Sequence, residues 1–101
     1  MVAMDKAAII STLRAHREEL ERAGIAHAAL FGSHARGDAR ADSDIDILID
    51  VEPERIRTVY DYVGLKLLVG DLFEGEVDVI ERNSLRESAI PRVARDLIVA
   101  F

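Results

Sequence analysis

The chain has 101 residues, half of them apolar and about a third charged, with a net charge of −6 and no cysteine. A chain this size holds one core, so a single domain over residues 1–101 is expected. The acidic balance gives no electrostatic footprint for nucleic acid, and the missing thiols exclude disulfides and thiolate metal sites. No apolar run reaches transmembrane length and the N-terminus lacks a signal peptide's apolar stretch, which makes the cytoplasm the expected compartment.

Residues 5–23 carry Ala8, Ile9, Leu13, Arg17 and Leu20 along one stripe and end at Gly24, which predicts one amphipathic helix closed by a C-terminal glycine. His16 and His27 stand apart from other ligand types and read as surface or boundary residues. Ile25 to Phe31 reads as the first strand, delivering the chain to Gly32-Ser33. A phosphate close to the backbone needs a residue with no side chain in the way, which Gly32 supplies. Ser33 offers a hydroxyl and favours a helix N-cap, with a short helix over about residues 34–38 turning its free N–H groups toward the phosphates. Arg36 has two equal readings, a charge-assisted phosphate contact or an ion pair with a nearby Asp that braces the loop. Arg40 reads as a surface charge and His34 as a loop side chain.

Ten residues separate Ser33 from Asp44-Ile45-Asp46. The combination Gly-Ser-x10-Asp-x-Asp is expected by chance in roughly one chain in a thousand of this length. Side chains alternate along a strand, so over 44–51 Asp44, Asp46, Leu48 and Asp50 share one face and Ile45, Ile47, Ile49 and Val51 the other. The branched aliphatic face belongs in the core, which leaves the acids on an open face. Carboxylates this close repel, and one is expected to carry a raised pKa unless a cation neutralises them. Hard oxygen donors of this kind suit Mg²⁺ or Mn²⁺.

After Pro53, residues 55–74 show helical spacing in Val59, Val63, Leu67, Leu68 and Leu72. Gly64 and Gly70 weaken this helix by about 1 kcal/mol each and are expected to break or kink it. Tyr60 and Tyr62 cannot share one helical face, so at least one is expected at the surface. Glu76 to Ile80 then forms a short strand with Asp78 opposite Val77 and Val79. Paired beside 44–51, it makes Asp78 the third of three carboxylates, which can hold two metal ions about 3.5–4 Å apart. Ile90, Val93, Ala94, Leu97, Ile98 and Phe101, with Pro91 in the first turn, predict a terminal amphipathic helix. The expected order is α-β-α-β-α-β-α, an α+β domain whose small mixed sheet has helices mainly on one face and the acids on the other.

The run Gly-Ser-His-Ala-Arg-Gly-Asp-Ala-Arg-x-Asp-Ser-Asp-Ile-Asp over 32–46, with Val77-Asp78-Val79 later, resembles the minimal nucleotidyltransferases (MNT) of the DNA polymerase β superfamily, usually encoded beside a HEPN-domain protein. The resemblance covers nearly the whole chain. It implies the polymerase β-like nucleotidyltransferase fold, ATP as donor, Mg²⁺ as cofactor (two ions), Gly32 and Ser33 on the triphosphate, and Asp44 and Asp46 as metal ligands. Asp78 matches the third carboxylate, beside the incoming hydroxyl. The implied role is an antitoxin that adenylylates a tyrosine of its HEPN ribonuclease toxin and silences it. Only 23 residues follow Asp78, enough for one helix, so the acceptor is expected to be presented by another protein or to be a very small molecule the core can hold. The competing reading is a non-catalytic antitoxin that masks its toxin by contact; transfer to an aminoglycoside or an RNA end is the weakest.

Overall fold

The computed structural model describes residues 5–101; the first four, part of the stretch read as leaderless, lie outside them. Helix α1 spans Lys6–Ala15, α2 Arg17–Ala23, β1 Ile25–Phe31, α3 Gly32–Arg36 and β2 Ile45–Val51. Then come α4 Val59–Gly70, β3 Val77–Glu81, α5 Ile90–Asp96 and β4 Ile98–Val99, with single 3₁₀ turns at Pro53–Arg55 and Arg82–Ser84. The sheet order is β3-β2-β1-β4, with β2–β3 parallel and the other pairs antiparallel. The expected α+β class with a mixed sheet is therefore the observed one.

The aliphatic face of β2 forms the centre of the core: Ile47 and Ile49 are completely or almost completely buried, against Leu30 and Ala28 of β1 and Val79 of β3. Ile9 and Leu13 of α1, Leu20 of α2 and Leu65 and Val69 of α4 close that side. Each such aliphatic side chain contributes about 1.5–3 kcal/mol on burial. An irregularity between Ile25 and His27 lets Ile25 reach the same face as Ala28 and Leu30, although it is out of step with them in sequence.

Five expectations need correction. The helix read over 5–23 is two, parted at His16, whose backbone leaves helical geometry (φ −103°, ψ 13°) and whose Nδ1 meets the Thr12 carbonyl at 2.9 Å. Arg17, placed on the apolar stripe, is exposed, and its guanidinium lies 5.4 Å from the centre of the Phe101 ring. Helix α4 runs through Gly64 without a break, because a helical glycine costs only about 1 kcal/mol and the buried side of α4 outweighs it. That buried side is Leu65 and Val69, continued by Phe73; Val59, Val63 and Leu67, expected inside, are 76%, 46% and 61% exposed. Finally, the terminal helix stops at Asp96. Residues 98–99 instead pair with Leu30 and Ala29 on the open edge of β1, and the Ala100 N–H donates to the Ala28 carbonyl at 2.9 Å. An unpaired strand edge offers those backbone groups partners that another helical turn does not.

Candidate functional site

The strand register brings the acids together. Parallel pairing sets Asp78 of β3 beside Asp46 of β2, while Phe31 stands opposite Asp46 on β1. Asp44 sits one residue before β2 begins and is exposed, Asp46 is half-buried, and Asp78 is exposed. Burial pushes the Asp46 carboxyl above its ordinary value, and repulsion from Asp78 and then Asp44 adds to it, with His34 and Arg36 opposing. The expected raised carboxyl is thus Asp46, but loss of solvent outranks the repulsion anticipated from spacing.

Asp50 belongs to the same strand face but not to the cluster. Arg82 holds it at 2.7 Å. The face also closes around Leu48, 2% exposed between Ala29 and Ile80 on the neighbouring strands, so its open part is the end carrying Asp44, Asp46 and Asp78.

The turn before the acids is tighter than the sequence suggested. Helix α3 begins at Gly32 with Phe31 as its N-cap, so Ser33 lies inside the helix rather than capping it. Gly32 has φ +77°, and a Cβ there would collide with the Asp46 carboxylate. Glycine is therefore needed at this position before any phosphate arrives, because the acid packs directly against the backbone. Ser33 is half-buried in the first turn of α3.

Two side chains tie this turn to the rest of the site. His34, read as a loop residue, is the one buried polar side chain among the described residues, and its Nδ1 lies 3.0 Å from the Asp44 carbonyl oxygen. A carbonyl only accepts, so Nδ1 carries the proton in this bond. It links α3 to the residue leading into the acids, and nothing in its spacing announced that. Arg36 takes the bracing geometry: it pairs with Asp96 of α5 at 2.9 Å and Asp38 at 3.1 Å. These hydrogen bonds, Asp96 first, raise its pKa further. Arg40 is exposed, as expected.

Among the described residues no three His, Asp or Glu side chains are gathered tightly enough to hold an ion unaided. The donor set nevertheless suits Mg²⁺. It is all carboxylate, its members repel one another at Asp46, and Mg²⁺ ordinarily completes its shell with waters and substrate phosphates rather than with a protein cage.

Comparison with known proteins places the chain in a family. Residues 13–100 match the family model described as nucleotidyltransferase domain. The protein adenylyltransferase MntA of Thermococcus cleftensis is 36% identical over 91 residues, covering 89% of this chain and 90% of its own. A solved minimal nucleotidyltransferase superposes with a TM-score of 0.69 at 36% identity, covering 97% of this chain and 98% of the other. The fold also matches, at TM-score 0.62 and 15% identity, a Shewanella oneidensis structure of a tri-AMPylated HEPN toxin in complex with MNT antitoxin, covering 91% and 71% of the two chains.

Proposed function

The chain belongs to the nucleotidyltransferase-domain family and is a nucleotidyltransferase, and we propose that it moves AMP from ATP to a hydroxyl on a partner protein. The observation that carries the proposal is the alignment of Asp46 with Asp78 on the open end of the sheet, with the Gly32 backbone pressed against the Asp46 carboxylate. The adenylyltransferase relative supports AMP as the transferred group.

In this reading Gly32 and Ser33 receive the triphosphate and hold its α-phosphorus over the acids. The acceptor oxygen attacks that phosphorus, the bond to the bridging oxygen of the β-phosphate breaks, and pyrophosphate leaves. Asp78, the exposed acid, faces the incoming hydroxyl and takes its proton. Asp44, Asp46 and Asp78 would hold Mg²⁺ together with the substrate phosphates, and the ion would supply Lewis-acid polarisation of the phosphoryl oxygens and neutralise the carboxylates. His34 steadies Asp44 through its carbonyl. Arg36 reaches phosphate only by leaving Asp96 or Asp38, so any phosphate contact from it competes with the brace.

The acceptor we propose is a tyrosine of a HEPN-family toxin, and the biological role is that of its antitoxin. The fold shared with a structure of a tri-AMPylated HEPN toxin in complex with MNT antitoxin supports this. A phenol has an ordinary pKa of about 10, so a cation and one carboxylate suffice to ionise it. Incubating the protein with ATP labelled at the α-phosphate, Mg²⁺ and the proposed HEPN partner tests the reading. Label is expected on the HEPN protein and pyrophosphate in solution. Inhibition of the HEPN protein with no label bound would instead make this chain a masking antitoxin.

A further inference from the structure

Helix α4 turns an apolar face to solvent on the side of the sheet away from the acids. Val59, Tyr60, Val63 and Leu67 fall at helical spacing along it, and Tyr60 is 88% exposed. Gly64 lies in the same stripe between Tyr60 and Leu67, and a Cβ there would meet nothing within 4 Å. We propose that this face is a self-association surface, covered by the α4 of a second copy of this chain, packed antiparallel about a two-fold axis at Val63–Gly64.

Area makes the first argument. At their exposures the four side chains leave roughly 400 Å² of mostly apolar surface uncovered, within the range of a monomer's largest patch, which is often functional. Two such patches joined bury roughly 800 Å², and the charged flanks bring the total to about 1,000 Å², the threshold of a specific interface. The dimer is therefore weak and reversible. Shape makes the second. Glycine weakens a helix relative to alanine, and no neighbour inside the chain needs Gly64 to be bare. A bare backbone on an outer helix face admits another backbone closely. In the antiparallel arrangement the two Gly64 residues meet at the axis, and each Tyr60 lies over the partner's Leu67. The patch is thus complementary to itself, as a two-fold contact requires.

Charge makes the third argument and sets the direction. Arg57 stands just before α4 and Asp71 just after it; both are exposed, and neither shares an ion pair with another described residue. Antiparallel packing brings each Arg57 beside the partner's Asp71 and sets the two helix dipoles in opposition. Parallel packing would put like charges together at both ends. Leu65 and Val69 of the same helix face the core, so the sheet stands between α4 and the acids. The dimer therefore leaves both acid ends open, pointing away from one another.

Sedimentation velocity of the full chain over a wide range of concentration tests the surface. The average mass is expected to rise reversibly from one copy toward two. Leu67→Ser, and Gly64→Gln, which props the helices apart, should each weaken the dimer about tenfold or more, the scale of a central interface position. Circular dichroism checks that each variant folds, and Leu67→Ser, at an exposed position, carries the test if Gly64→Gln does not. Arg57→Asp alone and Asp71→Arg alone should each weaken the dimer about two- to fivefold, the scale of exposed ion pairs, and the two combined should restore it. A chain that stays a single copy at every concentration overturns the proposal, as does a dimer indifferent to Leu67→Ser and Gly64→Gln. Loss of the proposed HEPN partner in Leu67→Ser, with the wild-type chain alone staying a single copy, also overturns it and gives the face to that partner.

Discussion

At Asp46, burial and two neighbouring acids act in the same direction. A carboxyl whose folded pKa lies above its unfolded value contributes most to stability below the unfolded pKa, and that contribution is lost as pH rises through the folded pKa. Removing the charge should therefore help the metal-free fold at neutral pH while removing a metal ligand. Asp46→Asn is expected to melt at a higher temperature than wild type at pH 7 without Mg²⁺, with the difference vanishing in acid. Its transfer rate should fall about a hundredfold or more, the scale of losing one pre-organised electrostatic group. Scanning calorimetry across pH and a transfer assay check the two halves separately.

Gly32 shows why the obvious substitution is the less informative one. Gly32→Ala places a Cβ into the Asp46 carboxylate at φ +77° and should cost about 1–3 kcal/mol in urea unfolding, whatever happens to ATP. A loss of nucleotide binding in that variant reports a displaced acid as much as a blocked phosphate. Ser33→Ala leaves the backbone alone and is expected to weaken ATP by about 1 kcal/mol, the net worth of one hydrogen bond, as read by titration calorimetry.

Helix α4 separates apolar composition from apolar burial. Leu65 is 5% exposed and Leu67 61% exposed, two residues apart on one helix. Leu65→Ala should cost about 2–5 kcal/mol, and Leu67→Ser should stay within about 0.5 kcal/mol, both read from denaturant midpoints. The start of the helix is set by Thr58 and Asp61, which bond reciprocally to each other's backbone N–H. Backbone hydrogen bonds from Arg57 and Thr58 hold the Asp61 carboxyl below its ordinary value. The sign is opposite to that at Asp46: this contribution is present above the unfolded pKa and lost as pH falls through the folded one. Asp61→Asn should therefore destabilise the protein at neutral pH and match wild type in strong acid.

These elements also show what the sequence could carry. Strand β2 was legible because Ile45, Ile47 and Ile49 recur at every second position with Asp44, Asp46 and Asp50 on the other face, a period no helix accommodates. Asp78 followed from the same rule, once β3 was taken to lie beside β2. Helix α4 was misread because apolar residues surround it, so two stripes fit the helical period and only packing selects between them. Leu97 to Phe101 fits a helix by spacing, yet the free edge of β1 claims it. His34, Asp96 and the clash at Gly32 depend on contacts between segments far apart in sequence, and no local pattern encodes them.

For the molecule as a whole, the sheet has two unlike sides. One is sealed by α1, α2 and α4 over an aliphatic core, and the other carries the acids at one end with α5 alongside. Rigid strands thus fix the spacing of the carboxylates, and the acceptor's approach is left to the open end. No helix among the described residues is long and apolar enough to cross a membrane. With an overall charge of −6, the acid end repels a triphosphate, and the proposed reading has a cation offset that repulsion. Removal of divalent ions by chelation should accordingly abolish ATP binding as well as turnover.

The central claim is covalent transfer to a partner. Intact-mass spectrometry of the HEPN protein, co-expressed with this chain and then separated from it, tests that claim most directly. We expect the partner to be heavier by one or more AMP units and to remain inactive as a ribonuclease after separation, with Asp46→Asn leaving it unmodified. A partner of unchanged mass that regains ribonuclease activity on separation from the wild-type chain would contradict the account.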